Sequence, residues 1–193
     1  MLHRTDYCLK DGKRGFLHFL HDTYGDQQIA GAEIGTYKGE NAETILATLK
    51  LWRLYLVDPY DKTLSPGYGD EITNAKAEAF ERLARFGAKA FWLYQESLEA
   101  VKFIPHQLDF AYLDNLHTYS YLKEEIQQWW CVVKTGDYLM GHDYVRAGAR
   151  PSMEVSVVIN ELAAKTGLEV YLSSDLYADW WIKKETDALD WWI

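Results

Sequence analysis

Apolar positions in this chain come in short runs separated by glycine, proline and charge, and their spacing switches repeatedly between helical and extended periods. In residues 15–24, Phe16, Leu17, Phe19 and Leu20 recur at the spacing of an amphipathic helix. Residues 28–34 form a short apolar strand that runs into the turn Gly35-Thr36-Tyr37-Lys38-Gly39. Residues 40–50 then place Ala42, Ile45, Leu46 and Leu49 on one helical face. Residues 52–57 are apolar apart from Arg53 and are halted by Asp58-Pro59, as in a strand buried on both faces. Residues 61–71 contain Pro66, Gly67 and Gly69 without periodicity and read as a loop, a length that in compact domains usually serves function. The alternation continues with a helix over 73–86 stopped by Gly87, a strand over 88–94, a helix over 97–104 and a strand over 110–113. A helix over 120–133 follows, carrying Leu122, Ile126, Trp129 and Trp130, then Gly136 and a strand over 138–140. After a loop over 147–151, a helix over 153–166 is closed by Gly167, and strands over 169–173 and 177–184 end the pattern.

The last two strands are joined by a turn too short for a helical crossover, so they pair antiparallel. Strands alternating with helices before that hairpin predict an α/β three-layer sandwich of the Rossmann-like kind, with seven strands in a mostly parallel sheet. The 193 residues form one domain: an N-terminal helical cap region over 1–27, a core over 28–184 and an apolar tail over 185–193. The tail ends in Trp191-Trp192-Ile193, an aromatic surface that would pack on the body or serve a homo-oligomer contact. Hydrophobic residues at 48% with only 4 Pro exclude an intrinsically disordered chain.

Charge narrows the partners. A formal net charge of −9 lacks the clustered Lys and Arg that hold a polyphosphate backbone, so nucleic acid is not an expected partner. No apolar run reaches the ~18–20 residues of a spanning helix, so no membrane partner is expected. Cys8 and Cys131 are far apart and lack metal-knuckle spacing, and the chain does not open on a secretory pattern. They read as free thiols in a reducing, cytoplasmic setting.

In an open parallel sheet, ligands bind beyond the carboxyl ends of the strands. The residues delivered there are Glu33, Gly35 and Gly39, then Asp58, then Gln95, Glu96 and Ser97, then Asp114, Asn115 and His117, and finally His142 and Asp143. Gly35 and Gly39 allow a tight turn and a close approach of backbone to ligand, with helix amides pointing the same way. Their spacing is not that of a dinucleotide-binding turn, and no phosphate loop is present. Glu33 would repel a pyrophosphate and suits an amino group or a sulfonium. Asp58, about 20 residues past the turn, is placed to accept hydrogen bonds from a ribose. Singly these residues also read as ordinary turn and cap positions; together they favour a nucleoside.

The ordered set Glu33-Ile34-Gly35-Thr36-Tyr37-Lys38-Gly39-Glu40-Asn41, Val57-Asp58-Pro59, Tyr94-Gln95-Glu96-Ser97, residues 109–119 and Gly141-His142-Asp143-Tyr144 resembles class I S-adenosylmethionine-dependent methyltransferases. The likeness is greatest to a bacterial branch with an Asp-x-x-His-x-Tyr motif, and more distant to catechol O-methyltransferase. The resemblance implies that S-adenosylmethionine is bound by Glu33, Gly35, Thr36, Tyr37, Gly39, Asn41, Asp58, Pro59, Glu96, Ser97, Asp114 and Asn115. Many relatives have Gly-Asp where this chain has Gln95-Glu96, and a serine where it has Asn41. The resemblance further implies a divalent metal, Mg, Mn, Fe or Zn, held by Asp114, His142 and Asp143. The mixed nitrogen and oxygen set suits Mg less well than the others. His117 stands where the catechol enzyme has its catalytic lysine, so Asp114 and His117 are the catalytic candidates, with His117 as general base.

The activity implied is methyl transfer to a small-molecule hydroxyl; the alternative is a non-catalytic S-adenosylmethionine-binding regulator or scaffold. Lys123-Glu124-Glu125 reads as a solvated helix face. In each of the pairs Trp129-Trp130 and Trp180-Trp181, one ring is expected in the core. Tyr37, Tyr60, Tyr68, Tyr119 and Tyr144 fall on the active rim, whereas His3, His18, His21 and His106 read as ordinary surface or core residues.

Overall fold

The computed structural model describes residues 1–64, 70–145 and 154–187. The expectations for Tyr68, the 147–151 loop and the aromatic tail lie outside the described residues. The elements are β1 (Leu2–Arg4), α1 (Gly15–Tyr24), β2 (Ile29–Ile34), α2 (Glu40–Thr48), β3 (Leu51–Val57), α3 (Glu71–Leu83), β4 (Ala90–Leu93), α4 (Ser97–Ala100), β5 (Leu108–Leu113), α5 (Tyr119–Val132), β6 (Val133–Val145), α6 (Val155–Thr166), β7 (Val170–Leu172) and β8 (Tyr177–Lys183). A 3₁₀ segment, Ala84–Lys89, follows α3, and a second, Val101–Phe103, follows α4.

The strands form one sheet in the order β1-β7-β8-β6-β5-β2-β3-β4. Only β8 runs against its neighbours, pairing antiparallel with β6 and β7. From β2 the chain moves outward through β3 and β4, then returns to place β5 on the other side of β2. Strand order therefore reverses between β2 and β5, which opens a crevice at their carboxyl ends. Every residue of both strands is buried, because helices cover both faces. One face packs Phe16, Leu17 and Leu20 of α1 with Ala42 and Ile45 of α2. The other packs Leu122, Ile126 and Trp129 of α5 with Val158, Ile159 and Leu162 of α6.

Three local readings change. The sheet has an eighth strand, β1, paired parallel with Val170–Leu172; it is three residues long and carries no apolar period. Strand β6 starts at Val133, because Gly136 at φ +98° lies within the extended chain instead of ending a helix. Both members of each tryptophan pair are buried, the rings of Trp180 and Trp181 entering the cores on opposite faces of the sheet. Among the described residues no helix is long and apolar enough to cross a membrane.

Gly31 on β2 lies opposite Phe110 on β5. A Cβ at position 31 would sit 2.2 Å from the Phe110 ring, so Gly31→Ala overpacks the centre of the sheet. A loss of about 1–3 kcal/mol is expected in urea unfolding, and an unchanged midpoint would contradict this packing.

Candidate functional site

Two cavities meet at the carboxyl end of β2. The first, of about 290 Å³, is lined by Gly35, Tyr37, Asp58, Pro59, Glu96, Ser97, Asp114 and Asn115 together with Ile34, Val57, Leu64, Ile72, Leu116 and Tyr121. The second, of about 340 Å³, is lined by Arg14, Gly35, Thr36, Tyr37, Lys38, Glu40, Asn41, Asp114, His142 and Asp143. Gly35, Tyr37 and Asp114 line both.

Gly35 adopts φ +92°, and a Cβ there would lie 2.1 Å from the Asp114 carbonyl oxygen. Only glycine lets the ends of β2 and β5 come this close. Gly39, at φ +74°, is the N-cap of α2 and does not line either cavity as described. Asp58 is held by two amides: Tyr37 N donates to Oδ2 and Tyr60 N to Oδ1, each at 2.8 Å. Its pKa stands above the usual carboxylate range because burial outweighs those amides.

Glu33 is fully buried below the turn. Asn41 Nδ2 donates to Oε1 at 2.8 Å, whereas Oε2 has no partner among the described residues. Burial pushes its pKa up to about 8, partly offset by the Asn41 hydrogen bond and raised further by Asp114. Ser97 accepts a 2.7 Å hydrogen bond from Trp129 Nε1. Glu125 corrects the solvated-face reading: it is 0% exposed, because at helical spacing it falls on the side of α5 that carries Leu122 and Trp129. Asn115 Nδ2 donates to it at 2.8 Å, and burial lifts its pKa to about 7.

On the second cavity's side, charges alternate. Arg14 Nη1 lies 2.6 Å from Asp114 Oδ2; His142 Nδ1 lies 3.7 Å from Asp114 Oδ1 and 3.1 Å from Asp143 Oδ1; His117 Nε2 lies 3.0 Å from Asp143 Oδ2. Desolvation works against a charged His142, yet hydrogen bonds to Asp114 and Asp143 hold its proton, with pKa up to about 9. Burial alone would raise both aspartates; hydrogen bonds with His142, joined by Arg14 at Asp114 and by His117 at Asp143, bring them below the usual range. Asp143 adopts φ +58°, a backbone conformation that carries strain in a non-glycine residue. His117, Asp114 and Asp143 each offer a donor atom within 4.8 Å of the others, and His142 Nδ1 also lies within 3.7 Å of both aspartates.

Arg14 was not legible as a site residue. It is the N-cap of α1, and its Nη1 also donates to Tyr112 Oη at 2.7 Å, whose hydroxyl donates to Asp179 Oδ1 at 2.7 Å. Asp179 in turn accepts Phe16 N at 3.0 Å, so α1, β5 and β8 are tied together beneath the site. Tyr121, on the first cavity, was also missed. Of the tyrosines assigned to the rim, Tyr37 lines the cavities, and the Tyr60 hydroxyl donates to Tyr37 O at 2.8 Å. Tyr119 and Tyr144 bond Glu161 and Asn160 of α6.

Glu33 carries a linkage consequence. Its folded pKa of about 8 exceeds its ordinary 4.5, so the folded protein keeps a proton that the unfolded chain releases. The stability this gives is full below about pH 4.5 and is lost as pH rises through about 8. Glu33→Gln should therefore flatten the decline in thermal stability between these limits for the ligand-free protein. A variant whose pH profile runs parallel to wild type would contradict the buried carboxyl.

A methyltransferase-domain family model matches residues 32–144, from the end of β2 to the end of β6. No curated protein sequence matches the chain. Among solved structures, an rRNA methylase from Streptococcus thermophilus superposes with a TM-score of 0.65 at 13% identity, covering 90% of this chain and 96% of that one. The N-methyltransferase NodS from Bradyrhizobium japonicum, in complex with S-adenosyl-L-homocysteine, gives 0.59 at 16% identity, covering 88% and 85%. An O-methyltransferase family protein from Burkholderia thailandensis gives 0.58 at 13% identity, covering 83% of this chain and 52% of that one. At these identities the structures share a fold, the class I methyltransferase sandwich, while their acceptors differ. With more than half its length matched by the family model and its sheet in that order, the chain belongs to the methyltransferase-domain family.

Proposed function

We propose that this protein is an S-adenosylmethionine-dependent methyltransferase that acts on a hydroxyl of a small molecule. The observation that carries the reading is one cavity in which Gly35, Asp58 and Ser97, from the ends of three adjacent strands, converge. The residues fit the cofactor. Asp58 keeps acceptor capacity towards a ribose beyond its two amides, the Gly35 turn admits a close approach, and the unpaired oxygen of buried Glu33 is an acceptor for an ammonium. Glu96, Ser97 and Asn115 line the first cavity and are assigned to the adenine; Tyr37 and Pro59 line it as well, Thr36 and Asn41 line the second cavity, and Gly39 sets the turn into α2 without lining either.

When bound, the cofactor supplies a methyl group already activated on a sulfonium, which leaves the protein to orient the acceptor and remove its proton. His117 is assigned that task. Its Nε2 faces Asp143, so in the neutral ring the Nε2 proton is donated to the carboxylate and Nδ1 remains as base. Asp143 thus fixes the ring and stabilises the imidazolium that forms. Asp114, paired with Arg14 and beside His142, holds a negative charge where the two cavities meet.

Asp114, Asp143 and His117 each bring one donor atom within 4.8 Å of the others, so they would also hold a divalent ion, with His117 then a ligand in place of the base. The mixed set favours Mn, Fe or Zn over Mg, with His142 as a neighbouring donor. Such an ion would supply Lewis acidity to an acceptor hydroxyl. The acidic chain supports a small acceptor over a nucleic acid.

Calorimetric titration with S-adenosylhomocysteine tests the cofactor assignment. Wild type should bind, and Asp58→Ala should lose about tenfold or more in affinity. His117→Ala should keep that affinity while methyl transfer to a panel of hydroxylated small molecules falls by roughly 10²–10⁴. Normal turnover in that variant would remove His117 as the base.

A further inference from the structure

Helix α5 carries Tyr121, Glu125 and Trp129 at every fourth position, so the three side chains form one stripe along a single face. Tyr121 lines the first cavity, whereas Glu125 and Trp129 are 0% exposed and do not. All three grip residues of the cavity wall. Trp129 Nε1 donates to Ser97 Oγ at 2.7 Å, and the Ser97 amide donates to the Tyr121 hydroxyl. Glu125 accepts hydrogen bonds from the Ser97 side chain and, at 2.8 Å, from Asn115 Nδ2. Ser97 follows β4 and Asn115 follows β5, so Glu125 joins two strand ends that wall the cavity without lining it itself.

The bond between Asn115 and Glu125 leaves two acceptors over. Asn115 Oδ1 and Glu125 Oε2 are buried and have no hydrogen-bond partner among the described residues. Two orphaned acceptors on one bonded pair are costly in a buried space. A single proton satisfies both. Placed on Oε2, it makes the carboxyl a donor to Oδ1, and acid and amide then close on each other through two parallel hydrogen bonds. Burial favours that proton and lifts the Glu125 pKa to about 7, against the hydrogen bonds from Ser97 and Asn115 and the charge of His117 in the loop after β5. Tyr121 on the same helix, Glu96 at the start of α4 and Glu124 are the other titratable groups gathered there.

We propose that Glu125 is a positioning residue, a neutral acid that closes on the Asn115 amide and so fixes the Asn115 and Ser97 wall against which the nucleoside packs. The inference rests on the methyltransferase reading for the identity of that nucleoside. Once ionised, Glu125 has nothing to donate to Oδ1, and two acceptors face each other without a proton between them. The wall then loses its fixed geometry, and nucleoside binding weakens as the proton leaves.

The test uses 5′-methylthioadenosine, which carries the nucleoside without the amino-acid part and so does not report on Glu33. In calorimetric titrations from about pH 6 to about pH 9, wild-type affinity should fall about tenfold as pH passes about 7, the neutral pair being complete below that value and lost above it. Glu125→Gln rebuilds the pair with an amide: its carbonyl accepts from Asn115 Nδ2, its amide donates to Oδ1, and there is no proton to lose. That variant should match wild type at about pH 6 and keep the same affinity to about pH 9. Glu125→Leu should bind about tenfold more weakly throughout. An infrared difference spectrum of wild type against Glu125→Gln at about pH 6 should contain the carbonyl band of a protonated carboxyl, a readout that needs no ligand. Absence of that band overturns the neutral pair. Wild-type affinity that stays level while the band titrates overturns the positioning role, because a purely structural acid would behave in that way. A Glu125→Gln profile that falls in parallel with wild type overturns it as well, by assigning the pH dependence to another group. Wild type that binds neither 5′-methylthioadenosine nor S-adenosylhomocysteine overturns the methyltransferase reading instead, and the infrared band then decides the acid–amide pair by itself.

Discussion

The approach of Gly35 to the backbone of Asp114 is the constraint on which the site depends. Because no side chain stands between them, the ends of β2 and β5 come together where strand order reverses, and both cavities open from that junction. The closeness is specified well below the surface, by strands buried on both faces and by Gly31 admitting the ring of Phe110 beside it. The scaffold therefore sets the separation of the two cavities through packing, and loop residues then decorate it.

The electrostatics follow from the same junction. Carboxylates delivered by several strand ends would repel one another if all were ionised in a buried space. The structure resolves this in two ways. Glu33 and Glu125 are pushed towards the neutral form by burial, whereas Asp114 and Asp143 are kept ionised by alternating with Arg14, His142 and His117. The buried carboxyl groups of the chain are thus divided into those shifted towards the neutral form by burial and those kept ionised by cations beside them. On the proposed reading, Glu33 faces the cofactor's ammonium and the paired aspartates surround the acceptor.

Much of this architecture was legible because it rests on local patterns. The α1 helix follows from Phe16, Leu17 and Leu20, the glycine turn from Gly35 and Gly39, and the strand-end residues from the alternation of elements. The parts that were not legible depend on distant chain segments meeting. Arg14 is one cation in a basic stretch, and only folding brings it to Asp114, a hundred positions away. Strand β1 exists through backbone pairing with β7, which leaves no apolar period in three residues. Glu125 sits in a charged run whose sequence looks solvated, and its burial follows from helix phase together with the partner offered by Asn115. His117 and His142 were both recognised, but their common pairing with Asp143 depends on the ends of β5 and β6 meeting in the fold.

The account stands on one spatial claim, that a nucleoside occupies the first cavity and its reacting end points across the Gly35–Asp114 junction into the second. A crystal structure with S-adenosylhomocysteine bound measures this directly. The ribose hydroxyls should lie within hydrogen-bonding distance of Asp58, the adenine beside Ser97, and the thioether sulfur at Gly35, facing the cavity that holds Asp143. Density for the nucleoside outside the walls formed by Asp58 and Ser97, or a sulfur directed away from that junction, would contradict it.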